Sequence, residues 1–122
     1  MARVLIVDDS LFQRRNVRRI LKNEGHEILE ASDGAEAMGI IDSDDPDFVV
    51  LDLLMPNVDG IGVLTSLSDR MSSPTVIVLT SDVQDSTKKQ CLNLGASMVM
   101  NKPPDADELR QAVNGFTVGV AI

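Results

Sequence analysis

Five short apolar runs recur along the chain, and a segment of helical periodicity follows each of them. The runs cover residues 4–7, 26–31, 48–51, 75–79 and 97–101. Most are rich in Val, Ile and Leu without polar interruption, which is typical of strands buried on both faces of a sheet. The run from His26 to Ala31 is more polar, so we expect it nearer an edge of the sheet.

The segments between the runs carry the signals of α-helices, with apolar residues at helical spacing and capping residues at their starts. The expected capping positions are Asp8-Asp9-Ser10, Asp33, Asp59 and Asp105. The first helix should end near Asn23, because Gly25 follows it. The fourth helix has a thin apolar stripe, which consists of Val83, Thr87, Cys91 and Leu94. So thin a stripe predicts that this helix packs lightly on the sheet.

Strict alternation of strand and helix predicts a parallel sheet with helices on both faces and right-handed crossovers. We therefore expect an α/β fold, a doubly wound five-stranded parallel sheet with five helices. Five such units suit the flavodoxin-like strand order 2-1-3-4-5. No linker or low-complexity segment interrupts residues 1–122, so a single domain is expected, with a frayed tail from Thr117 to Ile122.

Composition and charge narrow the classes of partner. The formal net charge of −8 argues against a nucleic-acid backbone or an anionic membrane as the main partner. The single cysteine, Cys91, excludes an internal disulfide and suits a reducing compartment. No signal peptide or membrane-length apolar run is visible, so we expect a cytoplasmic protein without membrane insertion. The lone His26 is interpreted as a surface loop residue rather than a metal ligand.

Polar side chains stand at the ends of four of the predicted strands. Asp8 and Asp9 follow the first strand, Asp52 ends the third, Thr80 the fourth and Lys102 the fifth. Each residue taken singly could be a cap, a turn residue or a surface charge. Because all five lie at carboxyl ends, a parallel sheet brings them to one edge, where open α/β sheets bind ligands.

These residue types suit phosphoryl transfer. Three carboxylates in one crevice repel each other, and a hard divalent cation such as Mg²⁺ resolves the repulsion. Thr80 offers a hydroxyl donor, and Lys102 a compact cation that pairs with phosphate oxygens. A carboxylate nucleophile in such a setting can form an aspartyl-phosphate.

The same residues resemble the response-regulator receiver domain over nearly the whole chain. The matching motifs are Val7-Asp8-Asp9, Leu51-Asp52-Leu53-Leu54-Met55-Pro56, Asp59-Gly60, Thr80-Ser81, Gly95-Ala96 and Lys102-Pro103. The resemblance implies that Asp52 is the phosphoacceptor and that Thr80 and Lys102 bind the phosphoryl group. It also implies that Mg²⁺ is held by Asp8, Asp9, Asp52 and the backbone carbonyl of Leu54, and that the Lys102–Pro103 bond is cis.

Within this family, the segment from Asp9 to Arg18 is similar to stand-alone chemotaxis regulators of the CheY type. That similarity implies a monomeric regulator rather than an enzyme, phosphorylated by a sensor histidine kinase and in some systems served by a phosphatase. The implied output is a protein target, with the flagellar motor switch as a candidate. This protein target would bind the surface formed by the fourth helix, the fifth strand and the fifth helix.

The chain departs from the family pattern at two positions. Val99 stands where the family often has an aromatic residue, three residues before the lysine, and Pro104 where an aromatic often follows Lys-Pro. The usual coupling of the Thr80 hydroxyl to a swinging ring cannot operate unchanged. Leu54 and Asp82 occupy positions that tune the phosphate lifetime in the family.

Three alternative functions make different demands on the sequence. A phosphatase of the haloacid dehalogenase type needs a second Asp two residues after its nucleophile, where this chain has Leu54. A flavin-binding electron carrier needs a hydroxyl- and glycine-rich phosphate loop, where Asp8 and Asp9 would repel phosphate. A phosphorelay intermediate or adaptor without a motor partner stays open within the family.

Overall fold

Five parallel strands alternate with five helices in a computed structural model that describes residues 2–53, 60–70, 74–81 and 84–118, with side chains up to residue 114. The strands are β1 (Arg3–Val7), β2 (Glu27–Ala31), β3 (Phe48–Asp52), β4 (Thr75–Thr80) and β5 (Met98–Asn101). The helices are α1 (Leu11–Leu21), α2 (Gly34–Asp44), α3 (Gly60–Ser68), α4 (Asp85–Asn93) and α5 (Ala106–Val118). No helix among these residues is both long and apolar enough to cross a bilayer.

The sheet order is β2-β1-β3-β4-β5, which confirms the predicted topology. The parallel register aligns the strand ends. Val7 of β1 lies opposite Leu51 of β3, and Asp52 lies opposite Leu79 of β4. The carboxyl ends of the three central strands are therefore level with one another, so residues that follow them meet at one edge.

Alternate residues of the strands point to opposite faces, and each face has its own core. One core joins strand residues such as Leu5, Val49 and Val78 to buried side chains of α2, α3 and α4. The other joins residues such as Ile6, Val50 and Ile77 to buried side chains of α1 and α5. Both faces of the central strands are covered, which explains their uninterrupted apolar sequence.

Three of the predicted helix caps are present. Ser10 Oγ accepts a hydrogen bond from the Gln13 N–H at 3.3 Å, Asp33 Oδ1 one from the Glu36 N–H at 2.8 Å, and Asp105 Oδ1 one from the Glu108 N–H at 2.9 Å. These bonds satisfy N–H groups that have no partner within the helix. The fourth predicted cap, Asp59, lies outside the described residues.

Element boundaries differ from the predictions by one or two residues. β1 begins at Arg3, and α1 ends at Leu21 rather than near Asn23. α5 continues through Thr117 and Val118, into the segment predicted to fray, because no proline interrupts its hydrogen bonding; residues 119–122 lie outside the description. α4 buries Cys91 alone among its nine residues, as its thin stripe predicted, and Val83 and the Phe116 side chain are not described.

His26 lies in the loop before β2, as predicted, and is half buried there. Its Nδ1 accepts a hydrogen bond from the Ala2 N–H at 3.0 Å, so its Nε2–H donates to Asn114 Oδ1 at 2.9 Å. The ring thus connects the start of the chain to α5. A sequence gives no sign of such a contact because its partners lie 24 and 88 residues away.

Candidate functional site

The carboxyl edge of the sheet collects the polar residues singled out from the sequence. Asp8 follows β1, Asp52 and Thr80 are the last residues of β3 and β4, and Lys102 follows β5. Asp8, Asp52 and Thr80 are 4%, 5% and 1% exposed, and they are the buried polar residues of the described chain. Each continues a buried strand, so its side chain is held at a fixed point of the sheet edge.

Lys102 contacts two of these carboxylates at once. Its Nζ lies 2.9 Å from Asp8 Oδ2 and 3.1 Å from Asp52 Oδ1, which are hydrogen-bonded ion pairs across three strand ends. The Lys102 N–H also donates to the Thr80 backbone carbonyl at 3.0 Å, and the Lys102–Pro103 peptide bond is cis, as the resemblance implied. The lysine is therefore anchored by its backbone and by its ammonium group.

Two opposing effects set the pKa of Lys102. Burial acts to lower the pKa, but the hydrogen bonds to Asp8 and Asp52 and the attraction of their charges outweigh it, so the pKa lies above its ordinary value. A raised pKa means that the ammonium stabilises the fold fully below the pKa of an unfolded lysine, about 10.4. That contribution is lost only as pH rises through the higher folded value, so the pair is intact at neutral pH.

Asp9 completes an acidic cluster. One carboxylate oxygen from each of Asp8, Asp9 and Asp52 lies within 4.8 Å of the others, and Asp9 is exposed whereas the other two are buried. Opposite ligands of an octahedral Mg²⁺ lie about 4.2 Å apart, since each Mg–O distance is about 2.1 Å. The three oxygens therefore need only a small adjustment to share one ion, and the all-oxygen donor set suits a hard divalent cation.

Two residues that the sequence analysis did not assign to the site hold Asp8 in place. The Ser10 N–H donates to Asp8 Oδ1 at 2.9 Å, and Arg14 Nη1 donates to the Asp8 backbone carbonyl at 2.7 Å. Arg14 also pairs with Glu30 of β2, Nε to Oε1 at 3.0 Å. The sequence signal for this role of Arg14 is its position one turn into the helix that follows Asp8.

Gly60 permits a close approach of α3 to the end of β3. A Cβ atom at this position would lie 2.5 Å from the Asp52 backbone oxygen and 2.5 Å from the Leu53 Cα, closer than real contacts allow. The Gly60 N–H donates to the Leu53 carbonyl at 2.8 Å. Glycine at position 60 therefore allows the first residue of α3 to lie directly against the end of β3. Leu54, Asp59 and Asp82, which the sequence analysis linked to the site, lie outside the described residues.

Val99 lies in the lining of a groove beside the site. The groove has a volume of about 470 Å³ and runs between α4, β5 and α5. Its charged lining residues are Asp85, Lys88, Asp105 and Glu108, while Val99 is half buried at its side. Valine is smaller than the aromatic ring that the family often has at this position. Pro104, the other departure, is buried where β5 leads into α5.

The comparisons with known proteins agree on one family. A family model described as the response regulator receiver domain matches residues 4–114. Protein PilH of Pseudomonas aeruginosa is 32% identical over 122 residues, an alignment that covers 98% of this chain and 100% of PilH. The chain spans only 30% to 47% of the length of several other curated relatives.

Solved structures give the same assignment. The receiver domain of Francisella response regulator 1452 superposes with a TM-score of 0.88 at 30% identity, covering 93% of this chain and 94% of that one. The chemotaxis protein CheY4 of Vibrio cholerae superposes with a TM-score of 0.84 at 27% identity, covering 93% and 97%. The match spans the sheet, the five helices and the acidic strand ends, and this chain therefore belongs to the response-regulator receiver domain family.

Proposed function

We propose that this receiver domain is a phosphorylation switch of a two-component system, with Asp52 as its phosphoacceptor. The observation that carries the proposal is the joint contact of Lys102 Nζ with Asp8 and Asp52 at the buried strand ends. A nucleophilic carboxylate must lie where its attacking oxygen is fixed and where the added negative charge is balanced. Asp52 meets both conditions, and Asp9 adds the exposed carboxylate through which a cation could enter.

In the proposed reaction an oxygen of Asp52 attacks the phosphorus of a phosphohistidine on a sensor kinase. The new O–P bond forms as the N–P bond breaks, and the imidazole nitrogen keeps the electron pair. Lys102 pairs with oxygens of the transferred group, and the Thr80 hydroxyl donates a hydrogen bond to another. Attack of water on the phosphorus later breaks the O–P bond and regenerates the Asp52 carboxylate.

Asp8, Asp9, Asp52 and the backbone carbonyl of Leu54 would hold Mg²⁺. The ion, when bound, neutralises charge on the phosphoryl oxygens. The Ser10 N–H and Arg14 keep Asp8 oriented for this role, since they fix its carboxylate and its backbone carbonyl. The chain acts in this scheme as a regulator that takes part in its own phosphorylation, not as an enzyme with a separate substrate.

The proposed output surface is formed by α4, β5 and α5. This surface contains the groove beside Val99, and β5 leads directly from it to Lys102. α4 is lightly attached, so its position can respond to a change at the end of β4. A protein target would bind here after phosphorylation, and the flagellar motor switch is a candidate because the similar CheY4 is named as a chemotaxis protein.

A phosphorelay intermediate is the second candidate function. Val99 favours this function. Without the swinging ring the chain lacks the family's usual output switch, but it keeps the site that accepts and passes on phosphate. In either role we expect one domain over residues 1–122, a cytoplasmic monomer, a histidine kinase as donor and in some conditions a phosphatase. A pull-down with and without beryllofluoride distinguishes the roles, because only an output regulator gains a partner in the phosphoryl-like state.

The assignment of Asp52 is tested by incubating the protein with acetyl phosphate and Mg²⁺ and measuring intact mass. We expect wild type to gain one phosphoryl group, Asp52→Asn to gain none, and a chelator to abolish the gain in wild type. Asp69→Asn, at an exposed aspartate just after the end of α3, is the matched control and should be labelled like wild type. Equal labelling of wild type and Asp52→Asn, or labelling that resists the chelator, would overturn the assignment.

A further inference from the structure

The outer face of α1 carries a concentration of positive charge that the phosphorylation site does not use. Four of the chain's eleven arginine and lysine residues line a groove of about 520 Å³ between α1 and β2, the edge strand of the sheet. The lining residues are Arg15, Arg18, Arg19, Lys22, His26 and Ile28. No carboxylate is among them, although the chain as a whole has a formal charge of −8.

The charge in this groove is only partly compensated. Arg18 Nη1 lies 3.3 Å from Glu30 Oε2, but Glu30 also pairs with Arg14. Among the residues that the structure describes, no carboxylate pairs with Arg15, Arg19 or Lys22, and all three are exposed. Like charges on successive turns of one helix repel each other, and an anionic group bound in the groove would relieve that repulsion.

We propose that this α1–β2 groove is a docking site for a short acidic segment of a protein partner. Arginine side chains bind carboxylates in a bidentate manner, and the half-buried Ile28 offers an apolar contact between them. The span from Arg15 to Lys22 is about 10 Å at 1.5 Å per helical residue, which matches only a few residues of a partner.

The charge of the rest of the molecule favours a short segment over a long polyanion. A nucleic-acid duplex carries about one charge per 1.7 Å of its axis and extends far beyond a 10 Å patch. An anionic membrane is likewise broad. Either would extend its negative charge beyond the groove, against the acidic remainder of a protein of net charge −8, whereas an acidic segment confined to the groove would place its charge next to the basic residues.

The groove is remote from the phosphoacceptor, so the proposal goes beyond the switch function. Ile28 lies opposite Val4, near the start of β1, while Asp8 follows the end of the same strand. Four residues of strand separate the two levels, which is about 13 Å. A partner could therefore be held at the α1–β2 groove whether or not Asp52 is phosphorylated, as in recruitment of the regulator to a signalling complex.

The test is a titration of the ¹⁵N-labelled protein at about 0.15 M salt, where exposed long-range electrostatics are screened. The probes are a capped octapeptide of glutamates around one leucine, its glutamine counterpart, a short DNA duplex and anionic lipid vesicles. We expect the glutamate peptide alone to shift the amides of α1 and of the start of β2. Absence of these shifts with the glutamate peptide, equal shifts with its glutamine counterpart, or stronger shifts with DNA or vesicles would overturn the acidic-segment proposal.

Charge reversal locates the site. Arg15→Glu combined with Arg19→Glu should weaken peptide binding at least about tenfold, with an unchanged thermal midpoint showing that the fold is intact. Lys22→Glu should weaken binding, whereas Lys89→Glu, the same change on the exposed face of α4, should not. Equal loss in the two lysine variants would mean that net charge, not the groove, governs binding. Asp52→Asn should bind the peptide normally, so the docking proposal can fail or succeed independently of the phosphorylation proposal.

Discussion

Burial separates the three acidic residues of the site into two kinds. Asp8 and Asp52 are nearly inaccessible and share the ammonium of Lys102, whereas Asp9 is exposed. No hydrogen bond or ion pair joins the Asp9 side chain to any residue of the described ranges. Asp8 and Asp52 thus belong to the folded framework, while Asp9 adds negative charge without a compensating partner.

This difference predicts the behaviour of Asp9→Ala. Removing the exposed carboxylate relieves repulsion with Asp8 and Asp52, so the stability of the metal-free protein should stay within about 0.5 kcal/mol of wild type or rise. The stabilisation that Mg²⁺ adds should fall, since one ligand is lost. Thermal melts with and without Mg²⁺, with Asp69→Ala as the control, check both effects. A large loss of stability without Mg²⁺ would instead show that Asp9 is a structural cap.

The sequence allowed the acidic residues and Lys102 to be grouped because all follow buried strands, whose ends a parallel sheet must align. The supporting residues were harder to find. The contact of Arg14 with the Asp8 carbonyl and the close approach of Gly60 to Asp52 depend on the angle at which α1 and α3 leave the sheet. The helical periodicity and the capping residues of the sequence do not specify that angle, so the roles of these two residues become visible only in the three-dimensional structure.

Among the secondary-structure elements, α4 is the least firmly attached helix. Only Cys91 of its nine residues is buried, and its N-cap, Gln84, makes no side-chain capping hydrogen bond. α1, in contrast, buries Val17, Ile20 and Leu21 and is capped by Ser10. A helix with few buried contacts can shift at a small free-energy cost, so α4 is the element expected to respond to phosphorylation.

We expect the phosphoryl-like state to alter α4 more than the strand beside it. Val99 is β-branched, with restricted χ1 and little reach, and cannot swing as an aromatic ring does. The signal should therefore pass from Thr80 through the β4–α4 connection into α4. Amide hydrogen exchange with and without beryllofluoride should change most over residues 84–94 and little at Val99. Strong changes in β5 with an unaltered α4 would contradict this route.

Thr80→Ala is the matched variant for the same prediction. Loss of the hydroxyl should leave Asp52 able to accept a phosphoryl group, because the carboxylate and Lys102 remain in place. The exchange response of α4 to beryllofluoride should be blunted. An undiminished response in this variant would remove Thr80 from the proposed route.

The elements themselves were well predicted because each is signalled locally. The strands are apolar without interruption, and Asp33 and Asp105 cap their helices as their spacing to Glu36 and Glu108 indicated. Strand order followed from the number of alternating units and from the family resemblance. The ends of α1 and α5 were predicted less accurately, because the terminal turns of a helix depend on tertiary contacts and on how far the helix propagates.

For the whole molecule, Lys102 connects strands that are far apart in sequence. Its ammonium joins the residue after β1 to the last residue of β3, while its backbone bonds to the last residue of β4. The Lys102 side chain is 17% exposed, and Asp8 and Asp52, nearly inaccessible as whole residues, have side chains that are 5% and 6% exposed. Without this cation two buried negative charges would face each other at the carboxyl edge of the sheet, so its effect extends to global stability.

Lys102→Met tests that effect, because methionine keeps much of the apolar stem and removes the charge. In the absence of divalent cations the variant should be less stable than wild type by about 1–3 kcal/mol, since Asp8 and Asp52 lose their partner. Mg²⁺ should raise the unfolding midpoint of the variant more than that of wild type, because the ion replaces the missing positive charge. Urea unfolding at pH 7 with and without Mg²⁺ measures both quantities, and Lys89→Met on the exposed face of α4 should behave as wild type. Equal stability of Lys102→Met and wild type without Mg²⁺ would show that the two carboxylates are neutralised by other means, and the balancing role of Lys102 would have to be abandoned.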